Sequence, residues 1–72
     1  MNMAFDVLAF GKRLKELRVD RGLTIIELGN ALHVNNATIS KWERGKIRPS
    51  VDSIHDIAKF FNVPAGHLIG TE

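Results

Sequence analysis

The chain has 72 residues, no cysteine and a formal net charge of +2. This length allows a single domain with a small core and leaves little room for a second sensor or catalytic domain. Without cysteine, neither a disulfide framework nor a thiolate metal site can support the fold. No apolar run approaches the length of a membrane span. We therefore expect one domain over residues 1–72 that depends on efficient packing of its side chains.

The first predicted helix covers about residues 7–20. Phe10, Leu14 and Leu17 recur at helical spacing on its inward side, and Gly22 is the residue type that commonly follows the end of a helix.

An apolar segment, residues 1–6, precedes this helix. It lacks the basic lead and the cleavage site of a signal peptide, so we expect an N-terminal arm that belongs to the fold. Residues 3–7 give weak support for a strand, and no other part of the sequence indicates one.

The second predicted helix runs from about Thr24 to Leu32. Thr24 can cap it, and Glu27 follows at the spacing of a capping box. Leu28 and Leu32 lie one turn apart on the same face. His33 interrupts this pattern, and the sequence predicts a tight turn there.

A third helix follows the turn, with Asn35 as its cap and Gly45 beyond its end. Its apolar residues Ile39 and Trp42 are again at helical spacing, whereas the other residues are polar and the helix ends basic. Two short helices joined by a tight turn, the second with a polar face, are typical of a helix-turn-helix, here over about residues 24–44. This motif places its second helix in the major groove of DNA.

Two more helices are predicted after Pro49 and Ser50, and Ser50 can cap the fourth helix. Asn62 ends that helix, and Pro64 suits the first turn of a short fifth helix. The residues of the fourth helix that we expect to face the core are Val51, Ile54, Ile57, Ala58 and Phe61.

The predicted core draws on all five helices. Gly29 is expected at the closest approach of the second and third helices, where glycine permits contact but costs up to about 1 kcal/mol of helix propensity. The expected core residues are Phe10, Leu14, Leu17, Leu23, Leu28, Leu32, Val34, Ile39, Trp42, Ile54, Ile57, Ala58, Phe61, Val63 and Leu68.

Basic residues gather in two segments, although the net charge is small. Lys41, Arg44, Lys46 and Arg48 follow one another closely and are opposed only by Glu43. This asymmetry suits a protein with one face toward phosphates. The second basic group, in the first helix and just after it, consists of Lys12, Arg13, Lys15, Arg18 and Arg21.

In their order along the chain, these motifs resemble the Cro/repressor-type helix-turn-helix family, also called the XRE or lambda-repressor-like family. The similarity extends from about Phe10 to Leu68, and the ordered set of motifs makes it specific. It implies an all-α, five-helix lambda-repressor-like fold and binding to double-stranded DNA. The matching stretches are FGKRLKELR from Phe10, GLT from Gly22, EL from Glu27, ATISKWERGK from Ala37 and PS from Pro49.

The resemblance also implies which residues meet DNA. Asparagine can pair with adenine, lysine can donate to guanine, and alanine can touch a thymine methyl group. The expected base-contacting residues are Asn36, Ala37 and Lys41, with Thr38 and Ser40 nearby. The expected phosphate-contacting residues are Asn35, Arg44, Lys46, Arg48 and Thr24.

Two further contacts are implied by the resemblance. Arg18 and Glu43 are expected to form an ion pair that holds the third helix against the first. Phe60, Ala65 and Ile69 are expected to form a symmetric dimer seam, away from the third helix.

The sequence departs from the family pattern at two positions. Ile25 stands where many members have a glutamine that bridges a phosphate and a base-reading side chain. Either that anchor is lost, or Thr24 and backbone N–H groups replace it, or Ile25 packs against a thymine methyl or sugar. His33 stands where the turn often has a glycine with positive φ, which histidine tolerates better than most residues.

We therefore expect a sequence-specific DNA-binding transcription regulator, a repressor that acts as a homodimer on a two-fold operator in the cytoplasm. The histidines His33, His55 and His67 lack metal-ligand spacing, and the sequence indicates no catalytic group, cofactor, membrane contact or small-molecule effector.

The alternative is a protein-interaction module, such as an antitoxin-like or adaptor domain, whose main partner is another protein. It is motivated by apolar residues beyond the needs of a small core, namely Met1, Met3, Phe5, Ile26, Phe60 and Ile69.

Overall fold

The computed structural model describes residues 5–70, and in this range the predicted helices are confirmed. They are α1 (Val7–Asp20), α2 (Ile25–Leu32), α3 (Asn36–Glu43), α4 (Val51–Phe61) and α5 (Ala65–Ile69). Residues 5–70 contain no strand, and Val7, included in the weak strand prediction, opens α1. The rest of the predicted arm, residues 1–4, lies outside the described residues. None of the described helices combines the length and the apolar composition that crossing a bilayer requires.

Side-chain caps fix where most of the helices begin. At α2 the predicted capping box is present, because the Glu27 N–H donates to Thr24 Oγ1 at 3.1 Å and the Thr24 N–H donates to Glu27 Oε1 at 2.8 Å. Such caps satisfy N–H groups that have no partner within the helix, and each stabilises it by about 1 kcal/mol. The capping residues of α1, α2, α3 and α4 are Asp6, Thr24, Asn35 and Ser50.

Residues in the left-handed backbone conformation mark where several helices end. His33 follows α2 with φ 58° and ψ 42°, as its position in the turn predicted. Asn62 follows α4 with φ 56°, and Gly45 lies beyond α3 with φ 69°. Because glycine and asparagine adopt this conformation with less strain than most residues, the chain reverses direction at these points.

The core matches its prediction closely. The side chains that are buried in the described residues all belong to the predicted set, and the other predicted residues are half-buried around them. The prediction that Val51 faces the core is wrong, since its side chain is 69% exposed. It occupies the first turn of α4, where neither Val51 nor Asp52 is covered by another element, so helical spacing alone misassigned it. The buried residues are Phe10, Leu14, Leu28, Ile39, Trp42, Ile57, Ala58, Phe61 and Leu68.

Two glycines allow the backbones around α3 to approach closely. A methyl group added at Gly11 of α1 would lie 2.7 Å from the Glu43 carbonyl oxygen and would also clash with the Trp42 carbonyl oxygen. A methyl group at Gly29 of α2 would lie 2.6 Å from the Val34 carbonyl oxygen, in the turn that leads to α3. The predicted close approach at Gly29 is therefore present, and Gly11 makes an equivalent contact between α1 and α3.

We predict that Gly11→Ala lowers the free energy of unfolding by about 1–3 kcal/mol, since backbone atoms would have to move to admit the methyl group. The loss should appear despite the better helix propensity of alanine. Urea unfolding measures the change. Lys15→Ala, at an exposed site on the same helix, is the control and should change stability by less than about 0.5 kcal/mol; similar effects of the two changes would contradict a close contact at Gly11.

Candidate DNA interface

The helix α3 presents a polar face to solvent. This side of the helix carries residues three or four positions apart, namely Ala37, Ser40, Lys41 and Arg44. Ala37, Lys41 and Arg44 are exposed, and Ser40 is half-buried. The opposite side carries Ile39 and Trp42, which are buried, and this burial leaves the polar side outward.

The predicted base-contacting residues are thus brought together on one helix. Asn36 is exposed at its first position, and the Asn35 side-chain oxygen accepts from the Ala37 N–H at 2.7 Å. Thr38 is half-buried beside this face. The cap holds the N-terminal turn of α3 in place, which is the part of a recognition helix that meets base edges.

A basic segment follows directly from this face. Arg44, Lys46 and Arg48 are all exposed. Glu43, the acidic residue among them, instead has a nearly fully buried side chain that is bonded to Arg18. Because that carboxylate is neutralised from inside the fold, the positive charge of the segment toward solvent is unopposed locally.

The predicted contact between Arg18 and Glu43 is present in a bidentate form. Arg18 Nε donates to Glu43 Oε2 at 2.6 Å, and Nη2 donates to Oε1 at 2.9 Å. The two side chains are 12% and 6% exposed. Arg18 Nη1 also donates to the Leu23 carbonyl oxygen at 2.8 Å. One guanidinium therefore links α1, the segment before α2 and the end of α3.

The ion pair also affects the titration of Arg18. The hydrogen bonds that Arg18 donates to the Glu43 carboxylate raise the pKa of Arg18, against a smaller opposing effect of burial. A basic group whose pKa is raised on folding stabilises the fold at every pH below its ordinary pKa and loses that contribution only as pH rises further. Arg18 therefore stays charged and paired throughout the range in which proteins are normally studied.

The start of α2 lies in the same motif but lacks the usual polar side chain. Ile25 is half-buried and packs against the core, whereas Ile26 is 59% exposed. Thr24 Oγ1 is engaged by the Glu27 N–H. The first N–H groups of a helix have no partner within it, so the N–H groups of Ile25 and Ile26 are not bonded inside α2.

The other phosphate-contact candidates differ in how firmly they are held. The Arg48 guanidinium carbon lies 5.1 Å from the centre of the Phe5 ring. Arg44 Nε makes a long 3.4 Å contact with the Ser40 carbonyl oxygen. The Asn35 oxygen caps α3, which makes its amide nitrogen the group that could donate to a phosphate.

The predicted dimer-seam residues are less exposed than the sequence suggested. The sequence placed Phe60 among the apolar residues beyond the needs of the core, but it is half-buried with its ring 4.9 Å from that of Phe61. Ala65 also packs on the core, and Ile69 is half-buried. Arg21 covers this region, since its guanidinium carbon is 5.9 Å from the Phe60 ring centre. The structure therefore leaves only part of this surface open.

Three features of the site were not predicted from the sequence. Gly11 allows α3 to approach α1, and a lone glycine within a helical pattern is the signal that could have indicated this packing. Arg21 donates to the Phe61 carbonyl oxygen at 3.2 Å, so it serves the fold. Phe5 packs on Phe10 with ring centres 5.7 Å apart, so it contributes to the packing of the core and is not an extra apolar residue. No local pattern indicates the Arg21 contact, because Phe61 is 40 residues away in sequence. Phe5 lies before the start of α1, so the helical spacing that identified the other core residues does not extend to it.

Known proteins with similar sequences carry the same motif. A helix-turn-helix family model (HTH_3) matches residues 14–68, which is more than half of the chain. The HTH-type transcriptional activator BcrR of Enterococcus faecalis is 40% identical over 63 residues, covering 88% of this chain and 31% of BcrR. The cryptic phage CTXphi transcriptional repressor RstR of Vibrio cholerae is 32% identical over 60 residues, covering 83% of this chain and 54% of RstR. The chain thus spans about a third to a half of the length of these relatives.

A solved structure has the same fold over nearly its full length. The restriction-modification controller protein C.AhdI from Aeromonas hydrophila superposes with a TM-score of 0.80 at 28% sequence identity. The match covers 88% of this chain and 96% of that one.

We predict that Glu43→Gln lowers the free energy of unfolding by about 3 kcal/mol, because it leaves the charge of Arg18 largely buried without its partner. Urea unfolding measures the loss. Glu16→Gln on the exposed side of α1 is the matched control and should change stability by less than about 0.5 kcal/mol. The double change Arg18→Met with Glu43→Leu should recover much of the loss, since neither charge then remains. Equal values for Glu43→Gln and Glu16→Gln would show that the pair contributes little.

Proposed function

Since the chain belongs to the helix-turn-helix family, we propose that it is a sequence-specific DNA-binding transcription regulator. The observation that carries the proposal is the outward polar face of α3, anchored on its other side by Ile39 and Trp42 and continued by an exposed basic segment. A rigid helix with polar side chains at its N-terminal turns fits the major groove, and flanking basic residues fit the phosphates on either side. Acting on DNA, such a regulator would work in the bacterial cytoplasm.

In this proposal the start of α3 reads the bases. Asn36 would pair with the N6 and N7 atoms of adenine, and Lys41 would donate to O6 and N7 of guanine. Ala37, which has no polar group, would contact a thymine methyl group. The partly covered Thr38 and Ser40 would approach the bases at the edges of this face.

The phosphates would be bound on both sides of that face. Arg44, Lys46 and Arg48 would bind one stretch of backbone, and the Asn35 amide would add a donor there. Thr24 and the free N–H groups at the start of α2 would bind another, because the N-terminus of a helix attracts anions. These donors would take the place of the glutamine side chain that many family members have at the position of Ile25.

We propose that the regulator binds as a homodimer to a two-fold operator. A single domain contacts few bases, and a dimer gains affinity by engaging two half-sites about 34 Å apart on one face of the duplex. The proposed seam comprises Phe60, Ala65 and Ile69, which are partly exposed at the end of α4 and in α5. Occupation of a promoter by such a dimer would repress transcription directly.

A second candidate function is binding to another protein. It is favoured by exposed apolar side chains, because Leu8 and Val51 are 70% and 69% exposed and Ile26 is also exposed. Size-exclusion chromatography with and without operator DNA separates the two functions. A complex that forms only with DNA supports the regulator, and a chain that binds no duplex supports the interaction module.

Selection of bound sequences from a random DNA pool with the purified protein tests the main proposal. Enrichment of two half-sites related by a dyad is the expected result, and it would give the operator sequence and half-site spacing together. Recovery of a pool that remains random would overturn sequence-specific binding.

We predict that Lys41→Ala and Lys46→Ala weaken DNA binding in different ways. Lys41→Ala should weaken binding to the selected operator by about 1–3 kcal/mol and relax the preference at one base pair. Lys46→Ala should weaken binding to all sequences and reduce the slope of log K against log salt by about one unit. Fluorescence anisotropy on operator and random duplexes measures both. Equal losses on the two duplexes for Lys41→Ala would contradict its assignment as a base reader.

We also predict that Phe60→Glu gives a folded monomer that binds a half-site weakly, because the new carboxylates would face each other across the two-fold axis. Analytical ultracentrifugation at micromolar concentration measures the mass, and circular dichroism checks the fold. Val51→Glu, at an exposed apolar site outside the seam, is the matched control and should stay dimeric. A dimeric Phe60→Glu protein would place the seam elsewhere, with the N-terminal arm as the next candidate.

A further inference from the structure

A series of aromatic rings connects one basic side chain to the core beneath α3. The Arg48 guanidinium carbon lies 5.1 Å from the Phe5 ring centre, and the Phe5 ring lies 5.7 Å from that of Phe10. Phe10 is fully buried and meets Trp42 edge to face at 6.3 Å. The Arg48 side chain is thus connected through a tilted and an edge-to-face ring contact to a residue of α3 itself.

The segment that carries Arg48 needs such support. Residues 46–50 form neither helix nor strand, and an arginine side chain has many rotamers that a surface loop does not restrict. Leu8, in the first turn of α1, lies close to Gly45 where this segment begins, because a methyl group added at Gly45 would collide with the Leu8 side chain. Leu8 therefore lies beside the backbone at the start of the segment, and Phe5 lies beside the side chain of Arg48.

We propose that Phe5 is a positioning residue for DNA binding, which holds the Arg48 guanidinium in the orientation that binds a backbone phosphate. The inference rests on the proposed function. A guanidinium whose face lies on a ring keeps its N–H donors at its edge, where they can form the paired hydrogen bonds that phosphate accepts. Phe5 would reduce the rotamers that Arg48 must lose on binding, without touching the DNA.

A purely structural role for Phe5 makes a different prediction. If Phe5 only covers Phe10, its replacement lowers the stability of the domain, and any effect on DNA binding is independent of Arg48. If Phe5 acts through Arg48, its effect on binding disappears once Arg48 is removed. A double-mutant cycle separates these cases.

The test measures binding of the full chain to the selected operator duplex by fluorescence anisotropy. Phe5→Leu keeps an apolar cover over Phe10 but removes the ring, and Phe5→Trp keeps a ring. Phe5→Leu should weaken binding about two- to fivefold, the range for an exposed cation–π contact, whereas Phe5→Trp should bind as well as the unchanged chain. Arg48→Ala should reduce the salt slope by about one unit, and adding Phe5→Leu to it should change the affinity no further.

Thermal melting followed by circular dichroism identifies a temperature at which every variant is folded, and Phe5→Met replaces Phe5→Leu if the latter is unfolded. A loss of affinity from Phe5→Leu that persists when Arg48→Ala is also present overturns the inference. An unchanged affinity for Phe5→Leu alone, or an unchanged salt slope for Arg48→Ala, also overturns it. Failure of the unchanged chain to bind any duplex overturns the proposed function itself, and is thus distinct from these outcomes.

Discussion

The position of α3 depends on its close approach to α1 at Gly11. A side chain at that point would collide with the carbonyl oxygens at the end of α3, so the two backbones meet only because glycine has no Cβ atom. The approach buries Trp42 and Ile39. It also brings Glu43 within reach of Arg18, whose two hydrogen bonds fix the remaining freedom of the junction.

The outward face of α3 is a consequence of this attachment. Since one side of the short helix supplies its contribution to the core, the other side is free to carry polar residues without loss of stability. The cap at Asn35 and the left-handed residue His33 fix where the helix begins and how it leaves α2. A surface that reads bases, as we propose for this face, must hold its side chains in one geometry, and the core and the caps would provide that rigidity.

The charge of the molecule is arranged by the same contacts. The net charge is only +2, but Glu43 is paired inside the fold, so the segment after α3 is strongly basic toward solvent. Two basic residues are directed to the fold instead: Arg18 bonds Glu43, and Arg21 bonds the Phe61 carbonyl oxygen. The local excess at Arg44, Lys46 and Arg48 is what would attract phosphates, with the salt dependence that such contacts bring.

The helices, their caps and nearly the whole core could be predicted from the sequence, because helical spacing and capping depend on residues a few positions apart. It also indicated the motif and the exposed base-reading candidates on α3. The tertiary fold was needed to show that Val51 is exposed, that Phe60 is half-buried beneath Arg21, and that the Phe5 ring lies beside Arg48. These outcomes depend on which distant elements meet, and a local pattern contains no information about the neighbour that covers a helix turn or pairs with a charge.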